Sequence, residues 1–201
     1  MIEEKVSIGV ILLAAGSSSR MGQSKQLLII DGQPLLRRTV KMALESDPDN
    51  FVVVLGSNSK EHQNVIGDLP VKIIYNEDWQ MGIGNSIKKG LATLLELNPE
   101  TQGVVVLVCD QPLLTAAHIK NLIQTFKNFT FPITASAYAD TIGVPALFDK
   151  SLFKTLSNLS DSHGAKSVIR NFSAETKSIS FPNGAIDLDT PDDLLKLKSL
   201  E

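Results

Sequence analysis

A glycine- and serine-rich turn with two basic residues is the part of the sequence best suited to chemistry. It follows the apolar run 6–13 and reads Leu13-Ala14-Ala15-Gly16-Ser17-Ser18-Ser19-Arg20-Met21-Gly22-Gln23-Ser24-Lys25. Backbone N–H groups in such a turn can form a concave site for phosphate oxygens, and small residues allow a ligand to approach closely. With the charges of Arg20 and Lys25, the turn predicts a binding site for a nucleoside triphosphate.

Two better-known phosphate-binding loops do not fit this turn. A Walker loop has four residues between its glycines and then Lys-Ser/Thr, whereas five residues separate Gly16 from Gly22. A dinucleotide-binding fingerprint needs G-x-G-x-x-G. The one G-x-G of the sequence, Gly82 to Gly84, has Ile87 at the third glycine position. The alternative interpretation is a serine-rich surface turn with solvated charges.

An acidic residue follows a second apolar run. The run 103–109 leads into Asp110-Gln111-Pro112, and open α/β sheets bind ligands at the carboxyl ends of their strands. Carboxylates and phosphates are the ligands that Mg²⁺ prefers. Asp110 is therefore a candidate to hold Mg²⁺ beside triphosphate oxygens. An ordinary turn, or an Asp that helps to cap the next helix, is the alternative.

A pair of acidic residues occurs again in Asp187-Leu188-Asp189-Thr190-Pro191. In an extended segment Asp187 and Asp189 lie on the same side, so either could give the same metal a second carboxylate. Capping of the following helix by Asp189 or Thr190, just before Pro191, explains these residue types equally well.

Polar and small residues after the apolar run 71–75 are candidates for nucleotide contacts. Asn76 carries donors and acceptors that suit a base edge, and Gly82 permits close approach. Ser86 could bind a phosphate or cap a helix, whereas Trp79 is interpreted as a packing residue.

Residues for an acceptor pocket are expected in the irregular second half, since loops that depart from regular alternation often shape such pockets. The candidates are Gln111, Pro112, Gly143, Pro145, His163 and Gly164. Ordinary turns and a helix start are the alternative for the stretch around His163. The other histidines, His62 and His118, are interpreted as surface or edge residues, and Cys109 as a small buried hydrophobe.

The elements that position these residues alternate between apolar runs and amphipathic segments. Strands are predicted at 6–13, 51–55, 71–75, 103–109 and 132–138, and helices at 34–45, 60–66, 83–97 and 116–126, the last capped by Thr115. Beyond about residue 140, strands are expected at 144–148 and 177–181 and helices at 150–156, 165–171 and 191–200. This order predicts a doubly wound, mostly parallel Rossmannoid α/β sheet in one domain, residues 1–201.

Composition limits the class of protein further. The chain has 201 residues, 43% hydrophobic and 20% charged, with a net charge of −3. These values favour a folded core and argue against disorder and broad nucleic-acid binding. No window predicts a signal peptide or a membrane span. The single cysteine excludes an internal disulfide framework and a cysteine-based zinc site, so a reducing cytoplasm is the expected location.

The motifs together resemble a known family. The pattern Leu13-Ala14-Ala15-Gly16-x-x-Ser19-Arg20-Met21-Gly22-x-x-Lys25 resembles the signature loop of MobA-like NTP transferases, which have a GT-A-like, nucleotide-diphospho-sugar-transferase-like fold. Within these, the chain resembles the molybdenum cofactor cytidylyltransferases. The further matching motifs are Asn76-x-x-Trp79, Gly82-x-Gly84-x-Ser86, Cys109 to Pro112, Gly143 to Phe148 and Asp187-x-Asp189-Thr190-Pro191. Ile83 and Asn85 depart from the family, which more often has Met and a second Ser there.

The resemblance implies a Mg²⁺-dependent transfer of CMP from CTP to the terminal phosphate of molybdopterin or molybdenum cofactor, with release of pyrophosphate. The catalytic residues would be Arg20, Lys25 and Asp110, with Asp110 and Asp189 holding the metal. The nucleotide-binding residues would be Leu13, Ala14, Ala15, Gly16, Ser17, Arg20, Lys25, Asn76, Gly82, Ser86 and Asp110. Ala15 favours CTP over GTP, because related guanylyltransferases usually read Leu-Ala-Gly-Gly. A molybdenum hydroxylase or its chaperone would receive the product.

Two other functions remain open at this point. One is a guanylyltransferase, or another NTP transferase with a sugar or alcohol phosphate as acceptor, which would share the loop and differ in the acceptor pocket. The other is a nucleotide-binding carrier that delivers molybdenum cofactor without chemistry. The intact Lys25 and Asp110 argue against the carrier.

Overall fold

A seven-stranded mixed sheet organises the computed structural model, which describes residues 6–129 and 131–198. The strands are β1 Ile8–Ala14, β2 Ile29–Ile30, β3 Gln33–Pro34, β4 Asn50–Leu55, β5 Lys72–Tyr75, β6 Gly103–Val108, β7 Ile133–Tyr138, β8 Thr141–Asp149 and β9 Thr176–Ser180. The α-helices are α1 Leu35–Leu44, α2 Ser59–Ile66, α3 Ile83–Leu97, α4 Ala116–Asn128, α5 Phe153–Ser157, α6 Ala165–Asn171 and α7 Pro191–Lys198. The sheet order is β5-β4-β1-β6-β8-β7-β9, and β2 and β3 form a separate hairpin.

Strand β1 is the centre of the parallel half of the sheet. All seven of its residues are buried, and it pairs in parallel with β4 on one side and β6 on the other. Continuous apolar runs are what strands need when helices cover both faces of the sheet. Because parallel strands end at one edge, the turn after β1 and the turn after β6 lie side by side there.

The other half of the sheet is antiparallel at its centre. Strand β8 pairs antiparallel with both β6 and β7, while β9 pairs in parallel with β7. The β7–β8 hairpin turns through Ala139 and Asp140, whose φ angles are 45° and 57°. Since β8 runs opposite to β6, this hairpin projects at the edge where β6 ends.

Two apolar layers hold the sheet between its helices. Side chains alternate along β1, so that Val10 and Leu12 pack in the layer that contains residues of α1 and α4, and Ile11 and Leu13 pack in the layer formed with α3, α5 and α6. Both faces of the sheet are therefore covered, which confirms the doubly wound α/β architecture expected from the sequence.

The predicted strands and helices follow one another in the predicted order along the described residues, and the short hairpin of β2 and β3 is an addition that the sequence did not predict. Thr115 caps α4 as predicted, since its side-chain oxygen accepts a hydrogen bond from the His118 N–H at 3.2 Å. The closing helix is present as α7, Pro191–Lys198. The last two residues predicted for it, Ser199 and Leu200, lie outside the described residues.

The interpretation of two histidines as surface or edge residues is wrong. The exposed fraction is 0% for His62 and 9% for His118. Each imidazole can be buried because its Nε2 has a serine hydroxyl at 2.7 Å, Ser24 for His62 and Ser136 for His118. His118 also stacks on Phe181, with ring centroids 4.3 Å apart. Burial lowers the pKa of His118 to about 4.

Within the described ranges, no helix combines the length and the apolar character that crossing a bilayer would require.

Candidate active site

A cavity of about 190 Å³ opens at the carboxyl ends of β1 and β6. Its walls come from the turn after β1, the start of α3 and the turn after β6. The predicted nucleotide-binding residues that line it are Leu13, Ala14, Ala15, Gly16, Lys25, Gly82, Ser86 and Asp110. The fold thus gathers residues from three distant parts of the sequence around one space. Ser17 and Arg20 are exposed nearby in the same turn.

Gly16 faces the open side of this cavity. A Cβ atom placed on Gly16 would meet no other atom within 4 Å, so the packing of the protein does not require a glycine there. By contrast, a Cβ on Gly56 would lie 2.7 Å from both the Ala15 carbonyl oxygen and the Trp79 Cβ. The bare backbone at Gly16 is therefore suited to the close approach of a ligand.

Lys25 connects the glycine- and serine-rich turn 13–25, called the phosphate turn below for its predicted ligand, to both predicted metal ligands. Its Nζ donates to Asp110 Oδ2 at 2.9 Å and to Asp189 Oδ1 at 3.0 Å. Arg20 Nη2 donates to the second oxygen of Asp189, Oδ2, at 2.9 Å. Two cations and two carboxylates therefore alternate in the order Arg20, Asp189, Lys25 and Asp110, and of these Lys25 and Asp110 line the cavity.

The environment of Lys25 keeps its side chain charged. Burial is the largest single influence and lowers the pKa, but attraction and hydrogen bonds from Asp110 and Asp189 outweigh it, so the pKa is raised overall. The Lys25 side chain is only 15% exposed, whereas that of Arg20 is 71% exposed. Lys25 is thus a fixed, partly desolvated cation, which strengthens its electrostatic interactions.

A backbone contact holds the second acidic segment beside the first. The Leu188 N–H donates to the Asp110 carbonyl oxygen at 2.8 Å, which places Asp189 next to Lys25. Capping at the start of α7 is done instead by Asp193, whose Oδ2 accepts from the Thr190 N–H at 2.8 Å and its hydroxyl at 2.7 Å. The Asp189 side chain therefore contacts Lys25 and Arg20 instead of capping α7, and Asp187 is exposed two residues before it.

The carboxylates near Lys25 suit a hard divalent cation. Asp110 and Asp189 approach the same ammonium group, and burial together with repulsion from these two carboxylates raises the pKa of Asp187. In the part of the chain that the structure describes, no three His, Cys, Asp or Glu residues form a ready-made metal site. The donor set is thus a pair of aspartates bridged by Lys25, and oxygen ligands of this kind fit Mg²⁺.

Asn76 lies behind the cavity rather than in its wall. It is 1% exposed, and its Nδ2 donates to Ser86 Oγ at 2.8 Å while its Oδ1 accepts from the Asp78 N–H at 3.1 Å. Ser86, which lines the cavity, is oriented by this contact. A direct contact between Asn76 and a nucleotide stays a prediction, and the geometry favours an indirect role through Ser86.

The predicted acceptor-pocket residues separate into two groups. Gln111, Pro112, Gly143 and Pro145 are buried, and Gln111 Nε2 donates to the Val144 carbonyl oxygen at 3.1 Å, which joins the Asp110 turn to β8. His163 and Gly164 instead line a second cavity of about 530 Å³ between the β7–β8 hairpin and α6.

One residue of the loop is absent from the sequence-based candidates. Gln26 is 1% exposed, lines the first cavity, and donates from Nε2 to the carbonyl oxygens of Ala14 at 3.3 Å and Gly16 at 3.0 Å. Through these two hydrogen bonds, the buried Gln26 side chain links the start of the turn to the segment that carries Lys25. Its position directly after Lys25 was the only sequence signal, because polarity alone does not reveal which glutamine is buried.

The fold and this site define a nucleotidyltransferase of the nucleotide-diphospho-sugar transferase fold. The sequence matches the MobA-like NTP transferase domain over residues 10–177, and the chain belongs to that family. The resemblance inferred from the signature loop is thereby confirmed at the level of the family.

Solved structures of mycobacterial proteins are similar over nearly the whole chain. A homolog of Rv0371c from Mycobacterium sp. strain JC1 is 29% identical, with a TM-score of 0.81 and coverage of 96% of each chain. Rv0371c from Mycobacterium tuberculosis H37Rv in complex with manganese is 25% identical, with a TM-score of 0.77 and coverage of 95% of this chain and 97% of that one.

Curated relatives are similar over a shorter stretch. The bifunctional protein GlmU of Francisella tularensis subsp. novicida (strain U112) is 28% identical over 122 residues, 60% of this chain. The match covers 26% of GlmU, so the chain spans about a quarter of the length of the curated relatives it matches.

Proposed function

We propose that this protein transfers CMP from CTP to the terminal phosphate of molybdopterin or molybdenum cofactor and releases pyrophosphate. The observation that carries the proposal is the contact of Lys25 with Asp110 and Asp189, at 2.9 and 3.0 Å, beside an open phosphate turn. Such an arrangement offers a fixed cation to a triphosphate and carboxylates to a metal ion. Membership of the NTP transferase family supports the reaction class.

The reaction needs positioning and charge stabilisation more than a catalytic base. A phosphate monoester has a second pKa of about 6, so an acceptor phosphate is mostly dianionic at neutral pH and needs no deprotonation. The barrier comes from bringing two anions together in line and from the charge that spreads over the α-phosphoryl group and the leaving pyrophosphate. Lys25 in the wall of the cavity and Arg20 in the exposed part of the same turn would stabilise that charge.

Asp110 and Asp189 would hold the divalent metal ion. When bound, Mg²⁺ would neutralise triphosphate charge and stabilise the leaving group. Both aspartates already lie beside Lys25, so the same three residues can bind the metal and the phosphates together. The manganese complex of the similar mycobacterial protein supports metal binding by this fold.

The choice of CTP rests on the resemblance of the loop. Ala15 stands where related guanylyltransferases usually have glycine, and it is 7% exposed in the wall of the cavity. By this resemblance, an alanine at the position favours CTP over GTP.

The second cavity is the proposed site of the acceptor. It lies between the β7–β8 hairpin and α6, next to the carboxyl end of β6 in the order of the sheet. Lys166 and Arg170 are exposed along its wall, and neither is ion-paired within the described part of the chain. Ile142 adds partly exposed apolar surface to this wall, and Ile169 contributes from a nearly buried position. Cations beside apolar surface suit a phosphorylated ring system such as a pterin.

Pyrophosphate release from each of the four NTPs with Mg²⁺, measured with and without molybdenum cofactor, tests the proposal. Release with CTP only when the cofactor is present is the expected result, and Asp110→Asn is the control that removes a metal ligand. Release with GTP, or with a sugar or alcohol phosphate as acceptor, would assign a different transferase. Binding of CTP without release under any condition would assign a carrier. The expected recipient of the product is a molybdenum hydroxylase or its chaperone.

A further inference from the structure

A series of hydrogen bonds connects helix α2 to the phosphate turn. His62 Nε2 lies 2.7 Å from Ser24 Oγ, and Ser24 Oγ donates to Gln26 Oε1 at 2.9 Å. Ser18 Oγ donates to the same oxygen at 3.0 Å and accepts from the Lys25 N–H at 3.1 Å. A histidine that no motif includes is therefore linked to the backbone of the residue that carries the central charge of the site.

The direction of these hydrogen bonds follows from Gln26. Its Nε2 donates to the carbonyl oxygens of Ala14 and Gly16, which fixes the orientation of the amide. Oε1 can then only accept, so the hydroxyl hydrogens of Ser18 and Ser24 both point to it.

The protonation of His62 follows in turn. Because the single hydroxyl hydrogen of Ser24 is directed to Gln26, Ser24 Oγ can only accept from the ring, and His62 Nε2 must carry a hydrogen. The other ring nitrogen, Nδ1, is buried and has no hydrogen-bond partner among the described residues. A second ring proton would have no acceptor there. Burial accordingly lowers the pKa of His62, while the charge of the neighbouring Glu61 acts in the opposite direction.

A second contact joins the same region to the turn. The Ser57 N–H donates to the Ala15 carbonyl oxygen at 3.0 Å, just before α2 begins at Ser59. The segment 57–62 therefore supports the turn at two points, through a backbone N–H at Ala15 and through the imidazole of His62.

We propose that His62 is a positioning residue for the phosphate turn. As a neutral N–H donor it orients Ser24 and, through it, Gln26, which sets the carbonyl groups of the turn and the start of the Lys25 segment. This inference rests on the proposed function in so far as the turn binds a triphosphate. Its effect on the shape of the turn can be measured without a substrate.

His62→Leu and His62→Gln provide the test. Leu keeps apolar bulk and removes the donor, whereas the Gln amide nitrogen can donate from nearly the place of the histidine Nε2. We expect His62→Leu to speed amide hydrogen exchange at Lys25 and to weaken CTP–Mg²⁺ binding about tenfold. The Gln variant is expected to restore both, and kcat at saturating CTP should change less than KM.

His118→Leu is the matched control, because His118 is also buried and paired through Nε2 with a serine. It should lower thermal stability without changing exchange at Lys25. If the two Leu variants changed amide exchange at Lys25 and CTP affinity equally, His62 would only contribute to the stability of the fold. That result would overturn the proposal. Unchanged exchange in His62→Leu would overturn it as well.

The ¹⁵N chemical shifts of His62 supply a readout that general stability would not move. A hydrogen on Nε2 is expected, and a hydrogen on Nδ1 would contradict the inferred direction of the hydrogen bonds. If exchange at Lys25 responds as expected but the wild-type protein binds no NTP, the positioning role stands and the proposed function fails.

Discussion

Two glycine turns border the same cavity and differ in what fills the space beside them. At Gly16, an added Cβ would meet nothing within 4 Å. At Gly84, an added Cβ would lie closer than 3.0 Å to the carbonyl oxygens of Ser160 and His163. Gly82 is similarly close to Asp161 and has a φ of 129°, a conformation that other residues rarely adopt.

A glycine can be needed at a turn either because other backbone packs against it or because a ligand approaches it. The turn at 82–84 needs glycine so that the segment 160–163 can pack on it, and the Gly84 N–H donates to the Asp161 carbonyl oxygen at 2.9 Å. Around Gly16 the surrounding charges of Lys25 and Arg20 and the open space indicate a site for a ligand. The glycines at 82–84 are thus required by packing, whereas packing requires no glycine at Gly16, where the open space suits a ligand.

The largest expected effect concerns the charges beside the open turn. Lys25→Ala should lower kcat by roughly 10²–10³, because a fixed cation at the developing charge is removed. Asp110→Asn should give a loss of the same order by removing a metal ligand. Pyrophosphate release by purified, folded variants measures both, and wild-type turnover in Asp110→Asn would exclude the metal role.

Gly84→Ala should break the packed turn and lower the free energy of unfolding by about 1–3 kcal/mol. The added methyl group meets backbone oxygens, which cannot rotate away as a side chain can. Urea unfolding measures the change. Gly16→Ala is the matched control and should unfold like the wild type. Equal destabilisation of both variants would contradict the claim that packing requires glycine at position 84 and not at position 16.

Gly16→Val, unlike Gly84→Ala, should weaken nucleotide binding and leave the stability of the fold nearly unchanged. Its side chain extends into the open space at the turn, so the free energy of unfolding should stay within about 0.5 kcal/mol of the wild type. Nucleotide affinity should fall about tenfold or more, since each tenfold corresponds to about 1.4 kcal/mol of lost binding free energy. Calorimetric titration with CTP and Mg²⁺ measures it, and unchanged affinity would mean that phosphates do not approach Gly16.

The smallest expected effect is a pH dependence at the packed turn. Hydrogen bonds from Lys88 and Asn85 lower the pKa of Asp161 below the ordinary value of 3.8. Its charged form therefore stabilises the fold above pH 3.8, and this contribution is lost as the pH falls through the lower pKa of the folded state. Asp161→Asn should be less stable than the wild type at pH 7, and the difference should shrink as the solution is acidified. Thermal melts across this range compare the two, and a constant difference would contradict the assignment.

The parts of the site that the sequence predicted are those fixed by local pattern. An apolar run followed by a small-residue turn predicted β1 and its loop, and the rule that ligands bind at strand ends predicted the place of Asp110. The contacts of Asp189 and His62 depend on partners far away in sequence, at separations of 164 residues from Lys25 and 38 from Ser24. Capping and metal binding both favour an aspartate at this position, and only the fold shows that Asp193 makes the capping contacts instead.

The buried histidines were missed for a related reason. A histidine in an amphipathic helix can face either side, and its burial depends on whether a hydroxyl from another element is available. For His62 that hydroxyl comes from Ser24 in the loop, and for His118 from Ser136 in β7. The periodicity of a helix indicates the average polarity of each of its faces. It does not indicate whether a hydroxyl group from another element lies beside one particular histidine.

The contact between the Leu188 N–H and the Asp110 carbonyl oxygen also determines when the site can form during synthesis of the chain. Asp189 follows Lys25 by 164 positions, so a ribosome that adds about 5–20 residues per second makes the two roughly 8–33 s apart. During that interval the phosphate turn and the parallel strands β1, β4 and β6 can already be outside the ribosome. A nascent chain at this stage has Lys25 and Asp110 but not the second carboxylate. Translation itself thus delays the complete site until the fold that contains it is nearly finished.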